Sequence, residues 1–86
     1  MKQFNINHCI YIQITEKGWR HLRNTVGEDY INHCIKSPHY EKTINGEVWY
    51  KLQAHHVFSL LPIGRSFGDT YYKTTILFDE DDLIEL

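Results

Sequence analysis

Three adjacent pairs, His8-Cys9, His33-Cys34 and His55-His56, hold enough nitrogen and sulfur for a zinc site. Their spacing argues against one. Structural zinc sites pair ligands a few residues apart, so that one knuckle or one helical turn offers both, whereas neighbours on a strand point to opposite faces. The chain is therefore read as holding no metal and no cofactor, with Cys9 and Cys34 as free, buried packing residues. A nucleophile and its base could be drawn from Cys34, His55, His56, Ser59 and Ser66 if the fold gathers them. No local signature selects among them: the chain has no Gly-x-Ser-x-Gly elbow, no Gly-x-x-x-x-Gly-Lys phosphate loop and no spaced carboxylate pair. His55, His56, Arg65 and Tyr71 could serve a small ribonuclease as acid, base and phosphate ligands. Such an enzyme must attract a polyanion, and a net charge of −2 gives it little help. No catalytic residue is assigned, and a non-enzymatic role is expected.

Recognition is the stronger reading. A helix, Gly27, a second helix and then a hairpin imitate a winged helix-turn-helix, but the second helix would begin on Glu28-Asp29, which repel phosphates, and its end offers only Lys36. The wing is better suited. Lys42 and Lys51 are basic, and Trp49 or Tyr40 could stack on an unpaired base, so the nucleic-acid alternative is a single strand or a nucleotide rather than duplex. The loop from Gly64 to Asp69 has flanking glycines that free the backbone, while Arg65 and Phe67 present a charge and a ring. Aromatic and arginine side chains are the usual anchors of interfaces. The expected binding surface is therefore Tyr40, Lys42, Trp49, Lys51, Arg65 and Phe67, and the expected partner is a protein.

The elements that must position these residues follow from periodicity. Ile6, His8, Ile10, Ile12 and Ile14 alternate with Asn7, Cys9, Tyr11 and Gln13, which predicts a strand with an isoleucine core face. Thr15 reads as an N-cap with Glu16 in the first turn, followed by Trp19, Leu22, Val26 and Tyr30 at helical spacing. Gly27 offers a break, with Glu28 and Asp29 opening a second helix that ends at Ser37-Pro38. Asn45-Gly46 is the pair preferred in a type I′ turn and predicts a hairpin that sets Thr43 opposite Val48, Glu41 opposite Tyr50, Lys42 opposite Trp49 and Tyr40 opposite Lys51. Val48, Tyr50 and Leu52 should point inward, leaving Trp49 partly exposed beside Lys42. Residues 54 to 61 suit a short helix stopped by Pro62 and Gly64. A last strand should alternate Tyr72, Thr74, Ile76 and Phe78 with Tyr71, Lys73, Thr75 and Leu77. Ile6 to Ile10 recurs as Ile31 to Ile35, but one copy falls in a strand and the other in a helix, so this is no structural repeat.

A chain of 86 residues with 42% apolar and 14% aromatic residues has room for a single core. The expectation is one α+β domain over 1–86 in the order β-α(α)-β-β-α-β, a mainly antiparallel sheet with helices packed on one face. The charge is uneven: residues 79–86 carry five acids and no base, leaving nine basic against six acidic residues before them, or +3. That acidic segment is expected to be a solvated edge. The start shows no secretory leader, the cysteines form no disulfide framework and no apolar run could span a bilayer, so the expected location is cytoplasmic, with no membrane contact.

Phe4-Asn5-Ile6, Ile14-Thr15-Glu16-x-Gly18, Gly46-Glu47-x-Trp49-Tyr50-x-Leu52-Gln53 and His56-x-Phe58 resemble segments of short uncharacterised proteins encoded by Bacteroides-type bacteria, their phages and mobile elements. The resemblance implies no catalytic residue. It implies an accessory protein of a phage or integrated element, a class that acts by binding host proteins, nucleotides or defence components, with a host protein the expected partner.

Overall fold

Local signals decide the hairpin. In the computed structural model, which describes residues 1–62 and 70–85, Asn45 takes φ 52° and Gly46 φ 81° between β3 (Glu41–Ile44) and β4 (Glu47–Gln53). These positive angles are the ones a type I′ turn requires. The register is the expected one, with Glu41 opposite Tyr50, Lys42 opposite Trp49 and Thr43 opposite Val48. Past the end of β3 the Lys51 amide still donates to the Tyr40 carbonyl at 2.8 Å.

The remaining elements in chain order are β1 (Lys2–Phe4), β2 (Cys9–Ile12), α1 (Glu16–Thr25), α2 (Glu28–Cys34), α3 (Ala54–Leu60), a 3₁₀ turn over Glu80–Asp82, and β5 (Leu83–Glu85). Strands β2, β4 and β3 form an antiparallel sheet in that order, and β1 pairs with β5 in a separate antiparallel ribbon. The architecture is a small α+β domain. Thr15 caps α1, its hydroxyl accepting from the Gly18 amide at 3.1 Å. Gly27, at φ 86° and ψ 167°, separates α1 from α2 in a conformation that essentially only glycine adopts.

The core lies between one face of the sheet and the helices. Ile10, Ile12, Tyr50 and Leu52 meet Leu22 of α1, Ile31 and Ile35 at α2, and Ala54, Val57 and Leu61 at α3. Val48, expected inward, is 44% exposed, because it lies near the turn end of the hairpin. Ile6 is also exposed, at 54%: the Asn5 side chain accepts from the Asn7 amide and the Asn5 carbonyl from the His8 amide, each at 2.9 Å. That turn shortens the expected strand to Cys9–Ile12.

Trp49, on the second face of the sheet, is buried as well, which corrects its expected exposure. The indole is only 6% exposed. Residues 70–78 run antiparallel along the free edge of β2, bridging Leu77 to Tyr11 and Tyr72 to Ile14, although they do not form the continuous strand expected. Their Thr70 and Lys73 to Thr75 share a groove with Gln13 and Trp49.

The acidic segment is likewise not a merely solvated edge. Tyr11 donates its hydroxyl to Asp79 at 3.0 Å, Lys51 Nζ lies 3.4 Å from the same carboxylate, and His8 Nδ1 lies 3.0 Å from Asp82. Leu83 to Glu85 then pair with β1.

Candidate functional site

Where β4 outruns β3, the sheet loses a strand and a cleft of about 260 Å³ opens between β4, α2 and α3. Ile35, Leu52 and Leu60 make its apolar surface, and Tyr30, Cys34, Tyr40 and His56 bring polar atoms to it. Each element places its residue for a readable reason. Tyr30 and Cys34 stand four apart on α2 and so share a face, beside the buried Ile31. Tyr40 follows a turn in which the Ser37 carbonyl accepts from the amides of Tyr40 and Glu41, each at 2.9 Å. His56 comes from the first turn of α3, whose entry is fixed by the His8 carbonyl accepting from Ala54 and the Ile6 carbonyl from His55.

Tyr30 and His56 are joined across the cleft, hydroxyl to Nε2 at 3.1 Å, with their rings nearly perpendicular. Burial raises the Tyr30 pKa above its ordinary value, and neighbouring Cys34 and Tyr40 raise it further. The phenol therefore keeps its proton and shares a hydrogen bond with Nε2 of His56. Nε2, the nitrogen a general base would use, is thus already engaged. Among the described residues no group of three His, Cys, Asp or Glu side chains could hold a metal ion.

The six residues expected to form one surface are not brought together. Tyr40, 39% exposed, and Lys51 both border the cleft. Lys51 contributes mainly its backbone and stem there, since its ammonium lies 5.5 Å over the Tyr11 ring and beside Asp79. Those partners, the Tyr11 hydroxyl first, raise its pKa. Lys42 is exposed on β3, while its register partner Trp49 is buried. Arg65 and Phe67 lie outside the described residues, as does Ser66. Cys34, expected buried, is exposed, and Cys9 is half-buried. The ribonuclease grouping is not assembled among the described residues, because Tyr71 stacks on His21 of α1, centroids 4.3 Å apart, rather than on either α3 histidine.

Sequence reasoning named Cys34 and His56 among residues the fold could gather, and both line the cleft, but it missed Tyr30 as their companion. The helical spacing of Tyr30 and Cys34 was available, but nothing local ties either to a histidine more than twenty residues away. No protein-family model, curated protein or solved structure matches the chain. No helix among the described residues is long and apolar enough to cross a membrane.

Proposed function

We propose that this chain is a non-enzymatic binding module for a protein partner, and that the cleft at the end of β3 receives one apolar side chain of that partner. The observation that carries this reading is the pairing of an apolar surface (Ile35, Leu52, Leu60) with an exposed aromatic, Tyr40, at its border. Anchor residues at interfaces fill such pockets, ringed by groups that exclude water. At about 260 Å³ the cleft lies below the volume usual for drug-sized ligands and near that of a large side chain. The resemblance to accessory proteins of phages and mobile elements supports a host protein as the partner.

Peptide display against the immobilised chain tests the reading. The selected peptides should share a single large apolar residue. Alkylating exposed Cys34 at the cleft should then weaken their binding by about tenfold or more, the scale of one lost anchor contact. Peptides selected without a common apolar residue, or binding unaffected by alkylation, would place the interface elsewhere.

A further inference from the structure

We propose a second site, on the opposite side of α1 from the core, that binds phosphate groups. Lys17, Arg20, His21 and Asn24 fall at i, i+3, i+4 and i+7 on one face of α1, and together with Tyr71 they line an open groove of about 500 Å³. At 1.5 Å rise per residue the four span about 10 Å, so Arg20, His21 and Asn24 surround one group seated near Arg20, with Lys17 at its edge. All four can donate hydrogen bonds. Arg20 supplies a planar fork suited to two oxygens of one phosphate, and Asn24 supplies an amide. His21 is held in place by its stack on Tyr71 at 17° between ring planes, and Lys17 Nζ lies 5.6 Å from the centre of the same ring.

The charge distribution favours an anion here. The chain carries −2 overall, but its acids are concentrated in residues 79–85, and the part before them is net positive. Those acids are drawn to the other end of β2, where Asp79 meets Tyr11 and Lys51 and Asp82 meets His8. Of the acids near α1, Glu28 of α2 is paired with Arg23 at 2.6 Å, and Glu16, in the first turn of α1, stands outside the lining of the groove. A compact, multiply charged group with several acceptor oxygens suits a convergent set of donors better than a single carboxylate does. The phosphates of a free nucleotide and those of a single-stranded nucleic acid present that same chemistry.

Amide chemical shifts of the intact chain, titrated separately with inorganic pyrophosphate, a short single-stranded oligonucleotide and a glutamate-rich peptide, test the site. Saturable shifts confined to Lys17 through Asn24 and Tyr71 are expected with pyrophosphate, with the oligonucleotide, or with both, and the pattern identifies the source of the phosphate. Arg20→Glu should weaken binding by about tenfold or more, the scale of one hydrogen bond between charged groups. Arg23→Glu makes the same change in net charge off this face and should leave most of the affinity intact. The proposal is overturned if neither phosphate probe shifts these residues, if the glutamate peptide binds as well as they do, or if both substitutions weaken binding equally. Thermal unfolding of both variants separates lost binding from lost fold.

Discussion

Replacing Gly18 with alanine sets two effects of opposite sign against each other. In an open helix the change is favourable by up to about 1 kcal/mol, because alanine has less backbone freedom to lose. Gly18 is not in the open. A Cβ built there would lie 1.9 Å from the Tyr71 carbonyl oxygen, 2.9 Å from the Tyr71 carbonyl carbon and 2.7 Å from Ile14 Cγ2. Two of those three atoms are backbone, so no side-chain rotation relieves the overlap, and residues 70–72 must move away from α1. The same carbonyl accepts from the Thr15 amide at 3.0 Å, and the Thr15 hydroxyl donates to the Thr70 carbonyl at 2.9 Å. Losing these bonds costs about 1 kcal/mol each, and overpacking alone costs about 1–3 kcal/mol.

Net of the propensity gain, Gly18→Ala should destabilise by about 2–4 kcal/mol, which for a domain of this size lowers Tm by about 10 °C or more. Chemical denaturation and a thermal scan give the magnitude. Hydrogen exchange gives the mechanism, because the Thr15 amide should lose protection in Gly18→Ala. Gly27→Ala is the control: nothing lies within 4 Å of its Cβ, but its φ of +86° makes it a purely backbone cost, with Thr15 protected as before. A Gly18→Ala protein as stable as the parent would refute the close crossing of residues 70–72 over α1.

Further outcomes follow from the same packing. Burial, with Glu41 adding its charge and an acceptor 3.3 Å away, pushes the Tyr50 pKa up to about 12. The native state then holds a proton that the unfolded chain releases near pH 10, so this contribution is intact below that pH and is lost as pH rises towards 12. The loss amounts to about 2–3 kcal/mol and should shrink in Tyr50→Phe when urea midpoints are compared across that window. Trp49→Ala should cost about 3 kcal/mol, as a large buried ring does, rather than the near-zero cost of a surface anchor, and the denaturation midpoint decides between them. Gly46→Val should cost about 1–2 kcal/mol through its positive φ, and an unchanged midpoint would move the turn.

What was legible in the sequence was decided within a few residues. The Asn45-Gly46 turn, the Thr15 cap and the Gly27 break each depend on dihedral angles or hydrogen bonds reached inside one turn of chain, and each is where the residues put it. Alternation along β4 correctly placed Tyr50 and Leu52 on one face and Trp49 on the other. It could not say what lies over the other face, because the covering residues 70–75 come more than twenty positions later. The same distance hid the acidic segment. A run of carboxylates reads as solvent-facing, yet Asp79, Asp82 and Glu85 each meet a partner from far earlier in the chain: Tyr11 and Lys51, His8, and the amino terminus. Ile6 was lost for a local reason that was readable, since Asn5 and Asn7 on either side of it are turn formers.

The burial of Trp49 has a physical cause that bears on the proposed partner site. A domain of 86 residues has too little interior to leave a large aromatic ring on an open sheet face without stability suffering, so the Trp49 ring is buried. A sheet tryptophan in so small a domain is therefore first a candidate for burial by a later segment and only then a candidate anchor. Tyr40 passes that test where Trp49 fails it. Tyr40 sits past the end of β3, where the sheet has no further strand to extend, and it keeps 39% of its surface beside an apolar cleft. Under the proposed function, then, of these two aromatic residues the one placed to meet the partner is the one at the point where strand pairing stops, not the one in the middle of the ladder.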